Sequence, residues 1–258
     1  MSLRFHHLAI TAAALVAGIA GSFLPALAQS ADVPRLPNGK PDFNGMWDHP
    51  RASDITKNLN TCGSGTPGCK QEGSGELSYT EWGLAQWKAA SKFDYSAYCQ
   101  PWGYTRATQT EYPIEFVQTP DRFVVLWESN NVFHVVPTDG RPHRKDVDQT
   151  WMGDSVGRWD GDTLVIDTTN FNGKTWIDTA EHPSSDQLHV TERIHFIDHE
   201  HLAYEVTWED PKTYTKPIKN NRVFARMKPG AEILEWWCME NNRDMLQGHL
   251  VGSAPPPK

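Results

Sequence analysis

The sequence predicts an all-β protein, an antiparallel meander closing into a lipocalin-like β-barrel, with a short N-terminal helix. A two-sheet β-sandwich is the alternative. Three observations point there. From residue 112 the apolar positions recur every second residue, the period of a strand with one buried face. The runs are short and separated by Asp139-Gly140, Asp160-Gly161 and Pro229-Gly230, pairs that suit hairpin turns. A meander of this length exposes two unpaired edges, and closure removes them.

In chain order, residues 1–28 read as a signal peptide. Arg4 precedes an apolar stretch, and Ala26-Leu27-Ala28 places small residues where a signal peptidase cuts. An uncleaved membrane anchor is the alternative for this stretch. Residues 29–110 form an extended, disulfide-stapled segment containing Pro34, Pro37 and Pro41, with 42–47 as a short docking strand or turn. Residues 78–93 are the helix: Thr80 can cap it, and Trp82, Leu84, Ala85 and Trp87 give it an apolar side, although Gly83 weakens it. Residues 111–245 are the barrel core. Its strands are expected at 114–118, 122–129, 132–138, 157–159 with 162–169, 188–198, 201–210, 219–227 and 232–240. Residues 246–258 are a flexible tail.

Formal net charge is −8 and no cluster of Lys and Arg occurs, which argues against a nucleic-acid partner. No second apolar stretch could cross a bilayer, so no membrane contact is expected after signal cleavage. Four cysteines remain, an even number suited to two disulfides in the periplasm or outside the cell. Three pairings are possible. Cys62 with Cys69 is the local choice, and Cys99 with Cys238 would then staple an early segment to the last strand.

The series Trp151–Trp176 (WMGDSVGRWDGDTLVIDTTNFNGKTW), HPSSDQLHVTER (182–193), EDPKTYTKP (209–217) and CMENNRD (238–244) resembles an uncharacterised family of exported bacterial β-rich proteins. TPDRFVVLWES and TDGRPH upstream belong to the same pattern, which spans most of residues 110–245. The resemblance implies export and a β-rich fold, and no activity.

Chemistry must therefore come from the residues. In LHVTERIHF, Glu192 shares a face with Leu188, Val190, Ile194 and Phe196, so its carboxylate points inward. Alternation likewise places Glu128 with Val124 and Leu126, His134 with Val132 and Val136, and Glu240 with Leu234, Trp236 and Cys238. A buried carboxyl is pushed toward the pKa range of a general acid or base. The bland alternatives are rim carboxylates for Glu128 and Glu240, a structural pair of Glu192 with the neighbours of Arg193 or with Arg243, and a satisfied core His134. Glu192, His134 and His189 are the catalytic candidates. Trp151, Lys174, Trp176, Glu240, Asn241 and Arg243 are the substrate-binding candidates. Trp127, Trp208 and Trp237 are expected in the core.

The loop from His182 to His189 offers Ser184, Ser185 and Asp186 for a hydrolase, but it lacks a G-x-S-x-G elbow and also reads as a turn. No tight ligand motif is present, so neither metal nor cofactor is expected, with a divalent ion on His182 and His189 left open. The expected function is acid/base processing, as a lyase, isomerase or hydrolase, of a sugar-derived or aromatic small molecule. The alternatives are a non-catalytic lipocalin-like binding protein and a surface or assembly protein.

Overall fold

The computed structural model describes residues 33–90, 94–240 and 242. The expected signal peptide and tail lie outside these residues. Ten strands form one antiparallel sheet: β1 (Gly45–Asp48), β2 (Lys70–Glu72), β3 (Ile114–Gln118), β4 (Arg122–Trp127), β5 (Val132–Pro137), β6 (Asp154–Asp160), β7 (Thr163–Thr169), β8 (His189–Asp198), β9 (His201–Glu209) and β10 (Ile218–Arg226). Their order is β5-β4-β3-β1-β10-β9-β8-β7-β6, with β2 added to β10. Nine strands make a nearly closed barrel, and its seam lies where β5 and β6 meet without a ladder. Gly157 permits that approach: a Cβ there would sit 2.8 Å from Thr138 Cγ2.

The barrel is two meanders, β3–β5 and β6–β10, bridged by β1. Trp47 pairs with Ile114 on one side and Arg226 on the other. The docking strand expected at 42–47 is thus a full stave, and the barrel extends beyond residues 111–245. Trp47 is fully buried among Phe43, Phe116, Phe123 and Phe224, the aromatic part of one continuous core.

The helix α1 spans Glu81–Ala89, with Thr80 Oγ1 accepting from Gly83 N at 3.0 Å. Gly83 has a packing reason, because a Cβ would fall 2.1 Å from the Thr213 carbonyl oxygen. A second helix, α2 (Tyr104–Ala107), has all four residues buried. Its Tyr104 ring reaches into the barrel against Trp127 and His134. Both expected disulfides form, Cys62–Cys69 and Cys99–Cys238, with Cα separations of 4.9 and 5.5 Å. They suit an oxidising compartment. No helix among the described residues is long and apolar enough to cross a membrane.

Four expectations are corrected. Residues 232–240 form no strand, because β10 is paired with β9 along one edge and with β2 and β1 along the other. Trp237 consequently lies exposed rather than in the core, whereas Trp127 and Trp208 are buried as expected. Asp139-Gly140 opens a long loop instead of a hairpin, since β5 and β6 share no ladder. On β4 the inward residues are Phe123, Val125 and Trp127, so Val124 and Leu126 take the other face.

Candidate functional site

Glu192 sits on β8 with its side chain inside the barrel, 2 % exposed. Register supplies its partners. Ile194 faces Tyr204 across β8 and β9, so Tyr204 is a diagonal neighbour of Glu192, and Tyr204 in turn faces Arg222 on β10. The hydroxyls of Tyr204 and Tyr104 each donate to one Glu192 oxygen. Burial raises the Glu192 pKa to about 7, against the opposing pull of both hydroxyls and of Arg222. Arg222 is buried too, and donates to Thr108 O, Gln109 Oε1 and Asn220 Oδ1. It is a cationic neighbour of Glu192; Arg243, the partner expected from sequence, lies outside the described residues, as does Asn241.

The cavity beside Glu192 has a volume of about 20 Å³, room for about one water. A general acid must come within hydrogen-bond reach of its substrate, directly or through a water. Glu192 therefore has no room to touch a substrate itself. His134 of β5 is different. Its Nε2 lies 2.6 Å from Ser155 Oγ on β6, across the seam, and Ser155 Oγ is 2.6 Å from its cross-strand neighbour Thr168 Oγ1. Thr168 stands near the Tyr104 hydroxyl and opposes the rise that burial causes in its pKa. Polar side chains thus line a path from His134 through Ser155, Thr168 and Tyr104 to Glu192 in an apolar interior, hydrogen-bonded from His134 to Thr168 and from Tyr104 to Glu192.

Its outer end forms part of a cleft of about 320 Å³ over the seam, where Phe133, Arg141, Arg144 and Asp154 join His134 and Ser155. Phe133 is 64 % exposed. Arg144 Nε holds Asp154 Oδ1 at 2.5 Å, and its terminal nitrogens make no hydrogen bond among the described residues. His143 bridges Asp154 (3.0 Å) and Asp167 (2.7 Å), and Asp167 also takes His189 Nε2 at 2.7 Å. His189 is thus on the outer face, in an ion-pair row, apart from Glu192.

Burial lowers the pKa of His134 to about 4, and that of His49, with help from Arg222, to about 4. Neutral buried histidines contribute stability that is present above about pH 6.5 and lost as pH falls toward 4. Glu192, with its pKa raised, contributes stability below about pH 4.5 that is lost as pH rises toward 7. Between these limits two histidines oppose one carboxyl. Together these three groups make stability fall on acidification by about 1.4 kcal/mol per pH unit. Removing the opposing group in Glu192→Gln should about double that contribution. Urea melts of both proteins at intervals from pH 4.5 to 6.5 check this, and equal slopes would show that Glu192 does not titrate there.

The other expected site residues are not brought together. Trp151 is half-buried and gives its carbonyl to Tyr104 N. Lys174 is exposed, and Trp176 packs on Tyr95 and beside the Arg106 guanidinium. Glu240 is exposed on a turn, not at a strand end. None of the four lines the void or the cleft. Glu128 is buried because the chain bends after β4 and its carboxylate accepts from Leu234 N at 3.1 Å. In the His182–His189 loop, Ser185 bonds Asp210 and Ser184 bonds the Thr175 carbonyl, so no Ser–His pair forms there.

Tyr204 and Arg222 were missed; alternation with Leu202, Val206 and Trp208 marks Tyr204 as inward-facing, but in 219–227 the apolar Val223, Ala225 and Met227 take the parity opposite to Arg222. Tyr104, Ser155 and Thr168 carry no comparable signal.

No family model matches the chain, and no curated protein matches it. Among solved structures, a mutant of the fluorescent protein UnaG is similar with a TM-score of 0.31 and 14% identity, over 72% of this chain and 96% of that one. The barrel described above rests on its own strand ladders.

Proposed function

We propose that this is an exported barrel protein that binds a small anionic molecule with an apolar or aromatic part in the cleft over the β5–β6 seam. The observation that carries this is the meeting there of an exposed Phe133, the Arg144 guanidinium and the His134–Ser155 pair. The cleft's volume of about 320 Å³ falls within the range of small-molecule sites. The apolar ring suits an aromatic or aliphatic body, the arginine suits a carboxylate or similar group, and the histidine–serine pair fixes orientation. The disulfides and the signal-like N-terminal sequence support export.

The test is a thermal-shift screen of aromatic and sugar-derived carboxylates, since a ligand of the native state raises the unfolding midpoint. Arg144→Gln and Phe133→Ala are each expected to weaken a hit by about tenfold. A hit indifferent to both substitutions would remove the cleft as its site.

A second reading, acid/base turnover of that ligand, is favoured by the polar chain ending on a carboxyl whose pKa lies near 7. His134 would contact the substrate, and Glu192 would exchange a proton with it through Tyr104, Thr168 and Ser155. Thr168→Val interrupts the chain away from the cleft. Turnover should then fall about 100-fold with ligand affinity unchanged. Unaltered turnover would exclude the relay, and absence of any product would leave the binding protein.

A further inference from the structure

On the outside of the barrel, two loops distant in sequence are tied together. Thr179 Oγ1 donates to the Ser53 carbonyl at 2.9 Å, and Ile55 N donates to Asp178 Oδ2 at 2.8 Å. The result places Asp54, Asp178 and His182 so that one ligand atom from each lies within 4.8 Å of the others. Asp178 is fully buried and His182 nearly so. Their side chains are pre-oriented: His182 Nδ1 is 2.7 Å from Asp178 Oδ2, and Asp54 Oδ1 accepts from both Thr56 N and Thr56 Oγ1.

Two facts mark this as more than a loop clasp. Among the described residues neither carboxylate is ion-paired with a lysine or arginine; Asp178 has only His182. The Tyr79 hydroxyl, on a ring stacked with the same Trp87 that covers His182, is a buried oxygen with no hydrogen-bond partner among the described residues. A buried polar atom without a partner calls for a water or an ion. Trp87 covers the group, stacked on Tyr79 at 5.3 Å and tilted over His182 at 6.0 Å.

We infer that Asp54, Asp178 and His182 form a site for a first-row divalent cation such as Zn2+ or Mn2+, with the Tyr79 hydroxyl as a further oxygen. One imidazole nitrogen and two carboxylates are a donor set that such ions accept. The ion takes the place of the proton between His182 and Asp178 and clamps residues 53–56 to residues 177–182. Its binding is therefore stabilising, and it is distinct from the seam cleft.

The experiment uses the full chain freed of metal by a chelator and titrated with Zn2+ or Mn2+ in a calorimeter, with unfolding midpoints in parallel. One ion should bind per chain, and the midpoint should rise with the logarithm of its concentration. Asp178 is too embedded to substitute safely, because it also holds Ile55. Asp54→Asn, at a half-buried position, and His182→Gln are each expected to weaken binding at least tenfold, roughly the size of effect seen when metal-site partners are removed. The inference fails if neither ion binds stoichiometrically. It fails equally if binding persists unchanged in both variants, which would assign the ion to other histidines such as His199 and His201.

Discussion

Tyr104→Ala is expected to destabilise the protein by about 5 kcal/mol, the upper range for truncating a buried aromatic side chain. Two losses combine. The ring leaves a hole against Trp127, His134 and Phe171. The hydroxyl leaves one oxygen of a fully buried Glu192 without its donor. Tyr104→Phe separates them, since it keeps the ring and removes only the hydroxyl, and should cost about 1–3 kcal/mol. The same variant should move the Glu192 pKa further up, because the lost bond favoured the ionised form. Urea unfolding at pH 7 measures both costs. If Tyr104→Ala lost under about 1 kcal/mol, α2 would be an ornament on the barrel and not part of its core.

Loss of the Cys99–Cys238 bridge is the second large effect. The bonded cysteines are 139 residues apart, against 7 for Cys62–Cys69. Loop-closure entropy then gives up to about 5 kcal/mol for the long bridge and about 2.5 kcal/mol for the short one. Among the described residues the segment after β10 is also held by Asn131 Nδ2 donating to Trp236 O at 2.8 Å, by Leu234 N donating to Glu128, and by Trp236 against Trp102 and Tyr112. In Cys99→Ser/Cys238→Ser that segment should be cut by protease before the barrel is. Guanidinium melts of the two double variants should rank the long bridge above the short one. The reverse order would mean that the released segment recovers most of the lost chain entropy.

Glu192 was legible because LHVTERIHF alternates without interruption, so one parity assigns the face of every side chain on β8. The same parity rule applied to 201–210 places Tyr204 inside, as the structure does, whereas in 219–227 the apolar Val223, Ala225 and Met227 share the parity opposite to Arg222, which the structure nevertheless buries. It failed on 122–129 because that run has apolar residues on both parities, and the aromatic set Phe123 and Trp127 took the interior. It failed on 232–240 for a different reason. The alternation was present, but a strand also needs a free edge, and β10 had none.

The even cysteine count, the helix cap at Thr80 and the inward carboxylate follow from local chemistry: a composition, a capping hydroxyl, a strand's period. Strand order does not. That β1 bridges β3 and β10, that β5 meets β6 without a ladder, and that a four-residue helix delivers Tyr104 to Glu192 all depend on contacts between distant segments. The polar chain from His134 to Glu192 draws on four strands and that helix through long-range pairing. No window of sequence contains it, because the energy that assembles it is the burial of the surrounding apolar core.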